Sequence, residues 1–429
     1  MSKASIEYIN SFSWLGSRLG LDRIRELMRR LGDPQEKLSF VHLAGTNGKG
    51  STACFLASVL QAAGYRTGLD TSPYIHTFHE RMQINGVPIS DEALDRIVDR
   101  VRVEADAMED HPTTFELVTA VAFCWFLEME CDIVVLETGM GGGLDATNVI
   151  SSPALTVITP IDMDHMEYLG DTIAKIASAK AGIIKPRCPV VSACQQPEAA
   201  AVLAEVAAEK ESPLTVVDLS QLSPGPFSLH GQRFAFSGLS DLSIRLLGRY
   251  QMENAALVIT ALDVLAGRGF PVSEDAIRTG LAQALWPGRF ELVATEPAVI
   301  VDGGHNAQGA RALADNLVRY FPGQRLIFVM GLLADKDLEA IAVPILPLAE
   351  RFFTFAPNSP RAMEAGDLAA YLAERGALAE AVDGGAAPAL ERAREAAGPD
   401  GVVCYFGSLY SVSEARGAFG LGHGVALGG

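Results

Sequence analysis

Short apolar runs alternate along the chain with longer Ala- and Leu-rich stretches, the pattern of a parallel sheet with crossover helices. In the first half, strands are expected at 38–43, 133–136, 155–159 and 189–192, and helices over 53–63 and 117–126. Clusters of Pro, Gly and Ser around 220–240 read as a loop or small hairpin excursion, and helical signal resumes over 251–267. A second alternating block begins near residue 297, with strands expected at 298–301, 326–330, 352–355 and 402–406. The Pro287-Gly288 pair in front of it reads as a hinge, which puts the expected domain boundary at 296/297. The expectation is therefore an α/β protein of two facing domains, 1–296 and a smaller 297–429, with an unpacked Gly-rich tail after Arg416.

Composition narrows the function classes. The chain has 429 residues, and its 34 basic and 52 acidic side chains leave a formal net charge of −18. Such a balance argues against a nucleic-acid or anionic-membrane binder, because phosphate backbones need a basic footprint. It leaves room for a locally positive pocket for a small phosphorylated ligand. The N-terminal MSKASIEYIN has no apolar signal-peptide core, and the longest apolar run, 118–127, is about half a membrane span. The six cysteines form no CxxC or zinc-like spacing and read as buried free thiols of a cytoplasmic protein.

The strongest local signal is Val41-His-Leu-Ala-Gly45-Thr-Asn47-Gly48-Lys49-Gly50-Ser51-Thr52, an apolar strand entering a Gly-rich turn and then a helix. Glycines let backbone N–H groups converge on phosphate oxygens, and the helix N-terminus adds partial positive charge. Lys49 would reach the terminal phosphates, and Ser51 or Thr52 would approach Mg²⁺. The match to the usual phosphate-loop pattern is imperfect. Leu43 stands at the first Gly position, and Gly50 separates Lys49 from Ser51. A turn that only joins strand to helix is the competing reading.

Other chemistry follows the next strands. Ligands of open α/β sheets bind beyond strand carboxyl ends, and Glu137 stands at such an end, where a carboxylate can hold Mg²⁺ beside a triphosphate. The following strand leads into Asp162-Met-Asp164-His165. An ordinary hydrogen-bonded histidine and a metal ligand are equally good readings of His165. Lys180, on pattern alone, reads as a solvated lysine. Thr113-Thr-Phe115-Glu116 has the S/T-x-x-E spacing of a helix capping box, which leaves a pocket role for Phe115 or Glu116 open.

Taken in order, these segments resemble the Mur ligase superfamily, and within it the folylpolyglutamate synthase family, which in many bacteria is bifunctional with dihydrofolate synthase. The resemblance runs from about Leu21 to Arg416. It includes Gly45-Thr-Asn-Gly-Lys-Gly-Ser51, Thr71-Ser-Pro-Tyr74, Glu80-Arg81, Phe115-Glu-Leu-Val-Thr-Ala120 and Glu137-Thr-Gly-Met-Gly-Gly. It continues through Leu144-Asp-Ala-Thr-Asn148, Asp164-His165, Lys180-Ala-Gly-Ile-Ile-Lys185 and Asn254-Ala-Ala256, and ends in Pro287-Gly-Arg289, Asp302-Gly-Gly-His305-Asn306 and Gly407-Ser-Leu-Tyr410. The resemblance implies an N-terminal P-loop ATPase domain and a smaller Rossmann-like C-terminal domain. Asn47, Gly48, Lys49, Gly50 and Ser51 would bind ATP, completed by Asn254, Arg289, Asp302 and His305. Ser72 and Glu137 would hold one Mg²⁺ and His165 a second, supported by Lys180 as a carbamylated lysine. Lys49, His165 and Lys180 are thus the implied catalytic residues, and Phe115, Glu116 and Asp145 the implied pterin contacts.

The implied reaction is ATP-dependent ligation of L-glutamate to dihydropteroate or reduced folates through an acyl phosphate, by a monomer whose C-terminal domain closes over ATP. A ligase acting on a cell-wall precursor and a non-catalytic nucleotide-binding module are the alternatives. Loss of Lys49, Glu137 or His165 would mark the latter, and all three are present. This chain departs from the family pattern at Tyr74 (usually His), Gly143 (Arg), Ala179 (Glu), Ala307 (Pro) and Phe406 (Thr).

Overall fold

The computed structural model describes residues 2–16 and 18–422, which form two compact units. The first holds the chain up to Ser223 together with Ala235–Leu242 and Glu253–Ala284; the second holds Pro224–Phe234, Ser243–Met252 and the chain from Leu285 onward.

The first unit is built on an eight-stranded sheet: β1 (Phe40–Ala44), β2 (Thr67–Asp70), β3 (Met82–Ile84), β4 (Val87–Pro88), β5 (Ile133–Glu137), β6 (Leu155–Ile158), β7 (Val190–Ser192) and β8 (Leu214–Val216). Its order is β4-β3-β2-β5-β1-β6-β7-β8. The six strands from β2 to β8 in that order are parallel, and β3 and β4 add an antiparallel edge. All four strands expected from the first half are present. Residues of β1, β5, β6 and β7 are buried throughout, which is why they read as continuous apolar runs. On one face of the core Phe123, from the helix Thr114–Glu128, meets Phe40 edge-on at 5.2 Å between ring centroids.

From β1 the chain crosses to β2 on the far side of β5, while β6 lies on the other edge of β1. This reversal of direction opens a crevice at the carboxyl ends of the strands, where open α/β sheets bind ligands. Ala44, Asp70, Glu137 and Ile158 end strands at that edge.

The excursion expected around 220–240 forms a three-stranded sheet of β9 (Ser223–Ser228), β10 (Gly231–Phe236) and β11 (Leu239–Ile244), with β10 central. The second unit carries β12 (Glu291–Thr295), β13 (Ala298–Val301), β14 (Leu326–Met330), β15 (Ala349–Thr354), β16 (Ala379–Ala381) and β17 (Val402–Phe406) in the order β12-β13-β17-β14-β15-β16. All neighbours are parallel except β12, which pairs antiparallel with β13, Glu291 opposite Val301. This pairing corrects the expected boundary at 296/297, which would cut between two hydrogen-bonded strands. Compactness puts the division before Leu285. The tail expectation also changes where it can be judged: Arg416 and Leu421 are buried, while 423–429 lie outside the described residues.

The helix that begins at the phosphate loop, Lys49–Ala62, is packed tightly by the helix Glu274–Gln283. A Cβ at Gly280 would meet the backbone nitrogen of Val59 at 2.6 Å. Ala is the better helix former by about 0.5–1 kcal/mol. Even so, Gly280→Ala is expected to destabilise the first unit by about 1–3 kcal/mol, the usual cost of overpacking. Gly366, in the helix Ala365–Glu374, has open space where its Cβ would be. Gly366→Ala is therefore expected to stabilise by about 0.5 kcal/mol. Urea unfolding of the two variants measures both signs, and stabilisation by Gly280→Ala would refute the close approach.

Candidate active site

The loop after β1 is shaped by two glycines with positive φ, Gly45 (154°) and Gly48 (83°). A side chain at Gly45 would run into Thr159 Oγ1 beyond the end of β6, and a Cβ at Gly48 would lie 2.8 Å from Asn254 Oδ1. The loop is also tied to the segment after β6, because Thr46 N donates to Pro160 O at 2.9 Å and Thr46 Oγ1 to Asp162 O at 2.9 Å. Gly48 then starts the helix Lys49–Ala62, whose N-terminal N–H groups face this turn. Gly48 thus brings Asn254 against the contiguous loop residues Asn47, Gly48, Lys49, Gly50 and Ser51.

Two lysines converge on one carbonyl. Lys49 Nζ donates to Gly45 O at 3.1 Å and Thr46 O at 3.3 Å, and Lys180 Nζ donates to Gly45 O at 2.7 Å. Lys180, in the helix Ile173–Ala181, is only 3% exposed, which overturns its reading as a solvated lysine. Burial first, and then the neighbouring Lys49 charge, push its amine down to about 7, against the pull of Asp164 and Asp145.

Glu137 closes β5 as a buried carboxylate, and its Oε2 accepts from Ser72 N at 3.2 Å. Sequence reasoning missed Asp70, which closes β2 at the same edge, buried and with Oδ2 lacking a partner among the described residues. Burial pushes its carboxyl well up, helped by Glu137 and Asp145 and opposed by Arg81. Its place just before Thr71-Ser72-Pro73 at a strand end was the available signal. His165 has φ +48° and a half-exposed ring, with its Nε2 3.9 Å from Asp164 Oδ2. Among the described residues no three His, Cys, Asp or Glu side chains gather into a metal-holding cluster.

The Gly-rich run after Glu137 is required by packing. A Cβ at Gly139 would meet Phe115 Cζ at 2.6 Å, and one at Gly142 would meet Lys180 O at 2.8 Å. Gly143 N donates to Ala179 O at 2.8 Å. Two departures from the family pattern, Gly143 and Ala179, therefore touch each other. Asp145 holds this run in place: Oδ2 accepts from Met140 N at 2.8 Å, and Oδ1 accepts from Thr147 N at 3.0 Å and Thr147 Oγ1 at 2.6 Å. Its oxygens are thus engaged by its own loop, which counts against Asp145 as a pterin contact. Glu116 is both the expected cap and a partner of Arg23: Oε2 accepts from Thr113 N at 2.7 Å and Arg23 Nε at 3.0 Å, and Oε1 is buried without a partner among the described residues.

Arg289, Asp302 and His305 belong to the second unit and lie close together there. Asp302 directly follows β13, buried, with Oδ2 accepting from Phe290 N at 2.8 Å and Oδ1 from Gly304 N at 2.6 Å. Burial raises its carboxyl, and the Arg289 guanidinium opposes that rise. His305 Nδ1 lies 3.0 Å from Gly303 O. Of the remaining departures, Tyr74 lies under the Arg81 guanidinium at 5.2 Å, Ala307 opens a helix, and Phe406 is a core residue edge-on to Phe328.

Comparison with known proteins decides the family. The Mur ligase middle domain matches residues 43–262, and the Mur ligase glutamate ligase domain matches 288–409. The dihydrofolate synthase/folylpolyglutamate synthase of Bacillus subtilis is 38% identical over 428 residues, covering 95% of this chain and 98% of the relative. The chain belongs to the folylpolyglutamate synthase/dihydrofolate synthase family. Folylpolyglutamate synthase of Mycobacterium tuberculosis, solved with ADP and AMPPCP, superposes with a TM-score of 0.89 at 32% identity, covering 99% of this chain and 100% of that one. Escherichia coli FolC, solved with DHPP and ADP, gives 0.86 at 29% identity, with 98% and 97% covered. Family and fold class are as the motifs implied.

If Asp145 anchors the loop, its effect precedes any ligand. Asp145→Ala is expected to cost about 1–3 kcal/mol of stability in the ligand-free protein, the penalty for orphaning buried donors. A residue that only touched substrate would leave the ligand-free urea midpoint unchanged, and that result would restore the contact role.

Proposed function

We propose that the chain is an ATP-dependent amide ligase that joins L-glutamate to dihydropteroate, to reduced folates, or to both. The observation that carries this is a phosphate loop flanked at one sheet edge by Glu137 and the buried Lys180, in a chain matched end to end by relatives named for folate synthesis. Those relatives favour a folate-type acceptor over a cell-wall precursor. A monomeric enzyme of the cytoplasm belongs to the same proposal; among the described residues no helix is long and apolar enough to cross a membrane.

The chemistry follows from the leaving-group problem. A carboxylate oxygen attacks the γ-phosphorus of ATP, giving an acyl phosphate and ADP. The glutamate amine then adds to the acyl carbon, and the tetrahedral intermediate expels phosphate while the nitrogen loses a proton. The protein contributes positioning and charge neutralisation. Loop N–H groups and Lys49 face the phosphates, with Arg289, Asp302 and His305 as the second unit's nucleotide contacts. Phe115 and Glu116 are the proposed pterin contacts.

The donor set fits Mg²⁺ of the kind that travels with a nucleotide, held by one or two side chains plus phosphate oxygens and not by an all-protein cage. Ser72 and Glu137 would hold one ion and His165 another, and bound Mg²⁺ would offset the phosphate charge. Lys180 would support it as a carbamate: the ammonium first loses a proton, and the neutral amine then adds to CO₂ and loses a second, so that a buried cation becomes an anion.

Phosphate release in the presence of ATP and glutamate is expected with dihydropteroate or tetrahydrofolate and not with a UDP-muramyl peptide; release with the muramyl acceptor alone would sink the folate reading. Lys49→Ala is expected to lower turnover by at least about 100-fold with the fold intact, the scale for losing one charge-stabilising donor. In ¹³C-bicarbonate, a carbamate resonance that vanishes in Lys180→Gln would support the modification, and its absence from the parent protein would refute it.

A further inference from the structure

We infer that Arg416 is a positioning residue for the turn that carries Arg289, acting through Glu291. The inference rests on the proposed contact of Arg289 with the nucleotide. All the groups concerned lie in the second unit.

Arg416 is the largest fully buried side chain among the described residues, in the short helix Val412–Gly417. Its Nε lies 3.2 Å and 3.0 Å from Glu291 Oε1 and Oε2, and its Nη2 donates to Oε1 at 3.1 Å. Nη1 donates to Gly422 O at 2.8 Å. A fork of this kind fixes the plane of the carboxylate as well as its position. Fixed in that way, Glu291 Oε2 also accepts from Gly288 N at 2.8 Å.

The bond from Gly288 N carries the inference. A buried ion pair that served stability alone could be replaced by apolar side chains with little loss. Here the carboxylate holds one end of the Pro287–Phe290 turn, and Asp302 holds the other through Phe290 N. Gly288 takes φ +69° without strain, but Phe290 at φ +45° is in a left-handed conformation that its surroundings must enforce. Gly288 O accepts from Gly303 N at 2.8 Å, and a Cβ on Gly288 would meet Val412 Cγ1 at 2.7 Å. Between the two anchored N–H groups stands Arg289, whose Nη1 lies against Gly303, 2.9 Å from where a Cβ on that glycine would be. The helix bearing Arg416 thus sets the aim of the Arg289 guanidinium.

The test is steady-state kinetics on the full-length protein with melting temperatures alongside. The Glu291→Leu/Arg416→Leu double variant removes both charges and the acceptor of Gly288 N. It is expected to lower the melting temperature no further than Asp145→Ala does, through the orphaned Gly288 N–H, and to raise KM for ATP about tenfold, the scale of one charge-assisted hydrogen bond. KM for glutamate should stay unchanged. Glu291→Gln, which keeps an acceptor, is expected to recover most of the loss, and Arg416→Lys, which keeps charge without the fork, only part of it. Arg289→Ala is the control. If it leaves KM for ATP unchanged, the nucleotide role of Arg289 fails and this inference falls with it. If Arg289→Ala is impaired while the double variant binds ATP like the parent, only the positioning role is overturned. Should the double variant fail to fold, the two conservative variants decide. A raised KM for ATP in Arg416→Lys at parental melting temperature supports the inference, and an unchanged KM overturns it.

Discussion

A buried lysine amine held against the carbonyl of Gly45 ties together segments that the chain order keeps far apart. Lys180 reaches the phosphate loop from the helix Ile173–Ala181, and the Gly139–Gly143 run lies on that same helix. Gly45 itself has no room for a side chain because Thr159 stands there, so the loop is pressed from the β6 side as well. Removing the amine from water is costly unless it is hydrogen-bonded, and the bond to Gly45 meets part of that cost. The rest appears as the amine's lowered proton affinity, with Lys49 beside it. The loop's shape and the chemistry of Lys180 are therefore two results of one contact.

The net charge of −18 says little about this place. Two lysines share a carbonyl here, and at least one buried carboxyl nearby, Asp70, is pushed toward its protonated form by burial and by Glu137 and Asp145. Both effects lower the local negative charge, which suits phosphorylated and carboxylated ligands despite the acidic average.

What could be read from sequence follows burial. Strands β1, β5, β6 and β7 are buried on both faces and stood out as apolar runs, whereas β2, with the sequence TGLD, and the exposed β8 carried too weak a pattern. With β2 went Asp70. The boundary at 296/297 erred because Pro287-Gly288 and the Glu296-Pro297 pair both punctuate the chain, and only pairing with β13 shows that β12 belongs to the second unit. The phosphate loop was legible because its chemistry is local: glycines, a lysine and a helix start within a few residues. The anchoring roles of Asp145 and Glu291 were not, because what occupies their oxygens is backbone geometry that no spacing rule records.

Those two acids show a shared physical logic. Glycine-rich turns let backbone N–H groups point outward, but the same freedom leaves the turn without a preferred shape. In both units carboxylates supply the missing constraint by accepting from the turn's own N–H groups: buried Asp145 from Met140 and Thr147, the partly buried Glu291 from Gly288, and buried Asp302 from Phe290 and Gly304. An acid turned toward its own backbone is largely neutralised as a charge facing the crevice. In the first unit the groups left to meet a ligand are then Lys49, Lys180 and the N-terminus of the helix Lys49–Ala62. For a site whose proposed substrates are all anions, that division answers the problem posed by the composition: carboxylates can crowd a phosphate site provided the fold employs them as anchors.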